Sequence, residues 1–436
     1  MEPRSRARRA GAALGVVLAA TTLLAGCDSG GSAKPKRPAG SPAARARKPA
    51  PPPRSILERL IPPQGAALPG ARAPGQIRRL VAALPVERKV AQLLLVGFDG
   101  TDPTASFFGT LKRMDLGGVV IQRRNYTGAV GLAALTNAVA NAAAGYTHER
   151  PFVVAPQEGG KFSAFADLPP SRAAGDLGNV TEAAAEARRT ARDLKRLGLN
   201  GVLAPDIDVG ASAPDPLGPR AYSDDTGEVS HYAAAVVSAF RGARMLSAPS
   251  HFPGIGAASQ PTDDGPTSVG LSMAELQRRD LAPFRAAIKA GAQAITVGHA
   301  AYAPDSFVVP ASLSHTIETN LLRGGLGFRG IAITDDLEAG AITAGNSVPK
   351  AAVQAVQAGA DMVWIGGPEA DWLSAYRALL AAVRSRQIPL VRLNAAVTRI
   401  VTVKRELGLR NRRKPVVAPV PVPGVAPVAP AAPAGP

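Results

Sequence analysis

Residues 331–338 read Ile-Ala-Ile-Thr-Asp-Asp-Leu-Glu, a β-forming apolar run stopped by two adjacent carboxylates. A run this short and this rich in branched side chains reads as a strand buried on both faces. Charge arriving at its last residue marks where the buried region gives way to a polar rim. The same unit recurs along the chain. Apolar runs at 93–98, 118–121, 152–155, 201–204, 245–248, 294–297 and 361–365 bring the number of expected strands to eight. Between them lie Ala/Leu/Arg stretches of helical length. Residues 181–197 and 370–384 carry apolar side chains at three- and four-residue spacing, and Ser272-Met-Ala-Glu275 is a capping box opening a helical run to residue 290.

Eight β/α units are the number that closes a parallel (β/α)8 TIM barrel. A doubly wound open sheet would alternate in the same way, but no Gly-x-Gly-x-x-Gly follows the first strand. The polar residues also fit the barrel better. Asp99, Gln122, Arg123, Gln157, Glu158, Asp206, Asp208, His251, His299, Asp335 and Asp336 each follow an expected strand closely. In a barrel these positions converge on one rim, with a pocket at its centre.

The two ends read differently from the middle. Arg4, Arg6, Arg8 and Arg9 precede an apolar run over 10–25, and Leu-Ala-Gly-Cys27 follows, the order of a secretory signal over residues 1–26. Cys27 is the only cysteine, so no internal disulfide can form. Its setting resembles a bacterial lipobox, which implies lipidation of Cys27 and an exported protein held at the extracytoplasmic face of the cell membrane. Residues 27–54 then read as a Pro/Ala/basic tether, 55–413 as the barrel, and 414–436 as a Pro/Ala/Val-rich disordered tail.

The formal charge of +17 invites a nucleic-acid partner, so its location matters. Residues 1–54 hold 11 Lys/Arg against Glu2 and Asp28, and Arg412, Arg413 and Lys414 add three more cations. The excess therefore lies mainly in the ends, where it suits anionic lipid or cell-wall polymer, and nucleic acid is not expected.

Taken alone, Asp335 has two readings: a nucleophile for an anomeric carbon, or a cap on the next helix. Gln157-Glu-Gly-Gly160 reads as a tight turn whose glycines allow close approach to a ligand. The aspartates of Ala204-Pro-Asp-Ile-Asp-Val209 could touch substrate or orient an arginine. No His-x-His follows the first strand, no cofactor motif appears, and His148, His231 and His315 read as surface or helix-end residues, so neither metal nor cofactor is expected.

The ordered set QEGG at 157–160, APDIDV at 204–209, RAYSDD at 220–225, HFPGIG at 251–256, GHA at 298–300 and ITDDLEAGA at 333–341 resembles glycoside hydrolase family 3. The likeness is greatest to the single-barrel β-N-acetylglucosaminidase branch that trims cell-wall sugars. That resemblance implies that Asp335 is the nucleophile of a retaining double displacement. It also implies sugar-binding positions at Arg220, His251 and His299, with Glu158 and Asp208 beside them.

The loop after the fifth strand departs from the family pattern. Where the family has a lysine, a second histidine and an Asp-Ser-His ending in the acid/base, this chain has Ser250, Ile255 and Pro261-Thr-Asp-Asp264. Pro156 likewise stands where the family has an aspartate. Two readings follow. Asp263 or Asp264 supplies the proton, about 5–5.5 Å from Asp335 as retention requires; or the barrel is catalytically impaired and serves as a cell-wall sugar-binding or scaffolding lipoprotein.

Aromatics make up only 4% of the chain, so a short terminal sugar is the expected ligand. Among aromatics near strand ends, Tyr302 is a candidate contact, while Phe98 and Phe252 read as core. The expected partner is a carbohydrate such as a peptidoglycan fragment, bound by a monomer.

Overall fold

The computed structural model describes residues 73–146, 149–211 and 217–410. The expectations for residues 1–54, Cys27, His148 and the tail from 414 lie outside the described residues. Within them, all eight strands form: β1 (Leu94–Val96), β2 (Gly118–Val120), β3 (Phe152–Ala155), β4 (Gly201–Val202), β5 (Leu246–Ser247), β6 (Ala294–Val297), β7 (Ile331–Asp336) and β8 (Met362–Ile365). They pair in parallel in the order β5-β4-β3-β2-β1-β8-β7-β6, each pair of sequence neighbours joined through a helical connection. The fold is a (β/α)8 TIM barrel.

The ring is closed by the chain just past β5. Pro249 has no amide hydrogen to donate, so regular pairing with β6 cannot run through it. Instead its carbonyl accepts from Thr296 N–H at 2.9 Å, Phe252 N–H donates to Thr296 O at 2.9 Å, and Gly298 N–H donates to Phe252 O at 3.0 Å. On the other edge Ser250 N–H reaches Pro205 O at 3.1 Å, and Ile207 N–H reaches Ser250 O at 2.9 Å. Residues 249–252 thus lie between the ends of β4 and β6. The Ser250–His251, Ala204–Pro205 and Phe252–Pro253 peptides are all cis.

The helical run opened by Ser272 divides into two helices, Met273–Arg278 and Leu281–Lys289. The capping box forms as expected. The break follows from Pro283, which cannot donate to the carbonyl four residues back.

At the opposite end of the barrel from the polar rim, Asp361 precedes β8 with no solvent exposure. Its oxygens take Arg323 Nη2 at 2.6 Å, Arg399 Nη1 at 2.8 Å and Arg392 Nη1 at 3.2 Å, together with the Ala332 amide at 3.2 Å. This single carboxylate ties the β7–β8 edge to the π-helix Thr316–Gly325 and to the last helix, Leu390–Glu406. Asp361→Ala would strand three buried guanidinium groups without their counter-charge. The expected loss is about 3–5 kcal/mol in urea unfolding, with the folded fraction keeping its ligand affinity.

Candidate active site

The strand ends open into a cavity of about 720 Å³ at the C-terminal face of the barrel. Its geometry begins with the turn after β3. Gln157 points away from the opening and holds the 163–169 loop, donating to Phe165 O and Pro169 O, both at 3.1 Å, and accepting from the Phe165 amide at 3.1 Å. Gly159 and Gly160 take φ of 126° and 53°, and a Cβ on Gly159 would lie 2.2 Å from Arg172 O, so the turn needs glycine there. Glu158 is thereby turned into the cavity.

Glu158 grips Arg220 with both oxygens, at 2.5 Å to Nε and 2.7 Å to Nη2. The Arg220 Nε also lies 3.1 Å from Asp206 Oδ2, and its Nη2 is 3.2 Å from His251 Nε2. Behind His251, Asp208 Oδ2 accepts from Nδ1 at 2.8 Å and from the His251 amide at 3.2 Å, while its Oδ1 takes the Ile255 amide at 2.9 Å. Asp335 projects from β7 into the same basin, its Oδ2 3.7 Å from His251 Nε2 and its Oδ1 accepting the Asp336 amide at 2.9 Å.

Burial and Arg220 both pull the His251 pKa down, but the hydrogen bond and charge of Asp208, with the charge of Asp335, outweigh them and leave it at about 9. The ring is therefore an imidazolium at neutral pH. Its Nδ1–H is spent on Asp208, while Nε2 lies between Arg220 Nη2 at 3.2 Å and Asp335 Oδ2 at 3.7 Å. Once deprotonated at Nε2, it would accept from Arg220 instead.

Asp206, buried beside Asp208, is pushed well above the usual carboxylate range by burial first and by that neighbour second. Asp206, Asp208 and His251 bring one ligand atom each within 4.8 Å of one another. They form a paired network rather than an evident cation site: a metal would have to displace the His251 proton from Asp208 and stand beside the Arg220 guanidinium.

Two expected sugar contacts lie elsewhere. Asp208 is fully buried and committed to His251 and the Ile255 amide, so it is a positioning residue. His299 is buried too, with Nδ1 on Ser312 Oγ at 2.7 Å and Nε2 on the Asp336 carbonyl at 2.9 Å, and it does not line the cavity. It steadies the end of β7 instead.

The two loop aspartates separate. Both are exposed, but Asp263 lines the cavity and Asp264 does not. Burial and then the charge of Asp335 raise the Asp263 pKa, against His251, Arg220 and His299. Asp263 and Asp335 line the same cavity. Tyr302 is buried, its hydroxyl donating to Gly254 O at 2.7 Å. Phe98 and Phe252 pack in the core, against Phe107 at 4.6 Å and Phe284 at 5.2 Å between ring centroids.

The aromatics that do reach the cavity are Phe162 and Trp364. Trp364 sits inside the apolar run of β8, but its register opposite Asp336 of β7 puts it at the level of the carboxylates. Only that pairing, invisible in one sequence, could have singled it out. Glu338 also lines the cavity, one turn beyond Asp335, with a pKa raised to about 7 by burial, Asp336 and a hydrogen bond shared with Asp371. His231 and His315 are exposed, as expected.

The glycosyl hydrolase family 3 N-terminal domain profile matches residues 85–403. The chain belongs to glycosyl hydrolase family 3. A β-hexosaminidase of Stenotrophomonas maltophilia is 33% identical over 288 residues, covering 64% of this chain and 84% of that one. Among solved structures, a family 3 β-N-acetylglucosaminidase from a Paenibacillus species aligns with a TM-score of 0.71 and 30% identity, over 77% of this chain and 65% of that one. A β-N-acetylhexosaminidase from Beutenbergia cavernae aligns with a TM-score of 0.65 and 27% identity, over 74% of this chain and 99% of that one.

The family 3 barrel held by Asp208 and His251 has a titration signature. A histidine whose folded pKa of about 9 exceeds its unfolded value of about 6.5 stabilises the fold fully below pH 6.5 and loses that contribution as pH climbs through 9. The His251 ring should titrate near pH 9 by NMR, and Asp208→Asn should move that midpoint downward. The same substitution should flatten the dependence of the urea midpoint on pH between 6.5 and 9.

Proposed function

We propose that this family 3 hydrolase is a retaining β-N-acetylglucosaminidase that removes terminal β-linked N-acetylglucosamine from cell-wall fragments. The observation that carries this is the shared basin: the Asp335 carboxylate faces His251, with Asp263 opposite on a loop whose carboxyl has a raised pKa. In the first step an Asp335 oxygen attacks the anomeric carbon while the glycosidic C–O bond breaks, and the Asp263 proton passes to the departing oxygen. In the second step Asp263 takes a proton from water, the hydroxide oxygen bonds to the anomeric carbon, and the ester bond to Asp335 breaks. Glu158, Arg220 and His251 bind the sugar hydroxyls and balance charge.

Asp263 is preferred to Asp264 because only the former lines the cavity, and to Glu338 because Glu338 shares its proton with Asp371. Pro156 also lines the cavity, and its side chain accepts no hydroxyl hydrogen bond. A weakened grip of this kind favours a small terminal sugar over a long glycan. It is also the observation behind a second reading, a sugar-binding barrel with slow turnover or none.

Asp335→Asn should lower kcat/KM on an aryl β-N-acetylglucosaminide by about 10³-fold or more, with the aryl β-glucoside a poorer substrate of the wild type. Asp263→Asn should cost about 10²- to 10⁴-fold on muropeptides but little on an activated aryl leaving group. Muropeptide binding in the wild type without turnover of any glycoside would replace the hydrolase by the binding reading.

We further infer that Cys27 carries the lipid that holds the protein at the membrane, on the strength of the Leu-Ala-Gly-Cys segment and the basic tether behind it. Cys27→Ser should move the protein from the membrane to the soluble fraction. Membrane retention of that variant would refute the anchor.

A further inference from the structure

The loop that carries Asp263 is closed on itself at its base. Ala258 bridges Val269, Ser259 Oγ lies 3.2 Å from Thr267 Oγ1, and Gln260 Nε2 donates to Pro266 O at 2.9 Å. None of these contacts fixes its tip over the cavity. The tip is attached to the turn that follows the nucleophile: Ala341 N–H donates to Thr262 O at 2.9 Å, and Gly340 N–H donates to Asp263 O at 3.0 Å.

Those two amides belong to the first turn of a short helix, Gly340–Thr343, whose N-cap residue Ala339 provides no side-chain acceptor. The first amides of a helix have no partner within it. The loop carbonyls take that role, so one pair of hydrogen bonds satisfies the helix start and seats the loop.

The seat exists because residue 340 has no side chain. A Cβ there would lie 2.6 Å from Asp263 O, 2.9 Å from Gly265 N and 3.0 Å from the Asp264 carbonyl carbon, all backbone atoms that cannot swing aside. The Gly340 φ is outside the left-handed region, so alanine is compatible with its backbone and the conflict is with the loop alone. On the far side of the loop a second cleft of about 560 Å³, lined by Ser259, Pro266, Thr267 and Ala341, leaves room for the displaced tip.

We propose that Gly340 is a positioning residue for the proton donor, a latch that holds Asp263 over Asp335 by letting the loop rest directly on the turn after β7. The inference rests on the hydrolase reading and on Asp263 as the acid/base. Asp335, at the end of β7, and Gly340, at the start of the next helix, are five residues apart, so the latch ties the proton donor to the same piece of backbone that carries the nucleophile.

The test uses the full chain with two β-N-acetylglucosaminides, one with a dinitrophenyl and one with an alkyl leaving group. In Gly340→Ala, kcat/KM on the dinitrophenyl substrate should stay within about threefold of wild type, because that leaving group needs little protonation, while the alkyl substrate should lose about 10²-fold or more. The glycosyl-enzyme should accumulate in the variant, seen as added mass on the intact protein, since the base for its hydrolysis is displaced too. Asp263→Asn should show the same split, and the double variant should lose little more than either alone.

Gly345→Ala is the control, because a Cβ there meets nothing within 4 Å, and both its rates should match wild type. An equal loss on both substrates in Gly340→Ala, or no loss on either, would overturn the latch while leaving the hydrolase intact. A wild type that cleaves neither glycoside would overturn the hydrolase reading and the latch with it.

Discussion

The hydrogen bond between His251 Nδ1 and Asp208, 2.8 Å long, joins two tasks that most barrels keep apart. His251 belongs to the short segment that closes the ring between the ends of β4 and β6, and Asp208 stands just past β4. The contact therefore stitches the weakest seam of the barrel. It also sets the charge of the ring that faces Asp335. Barrel closure and site electrostatics depend on the same buried proton.

That proton explains how so many carboxyl groups share one basin. Glu158 and Asp335 line it, and Asp206 and Asp208 are buried behind it against Arg220 and His251. Like charges this close cannot all ionise without cost, so the network divides the burden. Arg220 is held bidentate by Glu158, Asp208 is fixed by His251 and a backbone amide, and Asp206 is the member driven toward its neutral form by burial and by Asp208. His251 Nε2 stands between Arg220 Nη2 and Asp335 Oδ2.

The fold could be read from the sequence because each strand announces itself locally: a few branched apolar residues, then a polar one. All eight expected strands appear within two residues of their expected bounds. The site was legible where a residue stands at a strand end and faces inward, as Glu158, His251 and Asp335 do, while Arg220, far beyond β4, was singled out only by the resemblance of RAYSDD. His299 and Asp208 occupy equivalent positions in the chain, yet their side chains are claimed by Ser312, the Asp336 carbonyl and His251. Whether a strand-end residue meets substrate or its neighbour depends on facing partners far away in sequence. Trp364 shows the converse, an apolar strand residue carried to the cavity by the register of β7 against β8. The distinction between Asp263 and Asp264 is of the same kind, since adjacent residues in one loop differ only in which side of the tip they occupy.

In the proposed mechanism a carboxyl proton donor faces a carboxylate nucleophile, and the two are coupled through repulsion. Before the first step, the negative charge of Asp335 helps burial keep the Asp263 proton in place, which is what an acid needs. Once Asp335 is esterified its charge is gone, and the largest charge opposing ionisation of Asp263 disappears with it, while the cations His251 and Arg220 remain. The same carboxyl then becomes easier to ionise, as the base of the second step requires. A histidine donor would respond in the same direction by a different route: losing a nearby anion lowers its pKa by removing what stabilised its cation, whereas Asp263 is freed from repulsion. Substituting aspartate for histidine in this loop thus exchanges attraction for repulsion as the force that couples donor to nucleophile, and both arrangements turn an acid into a base at the moment the glycosyl-enzyme forms.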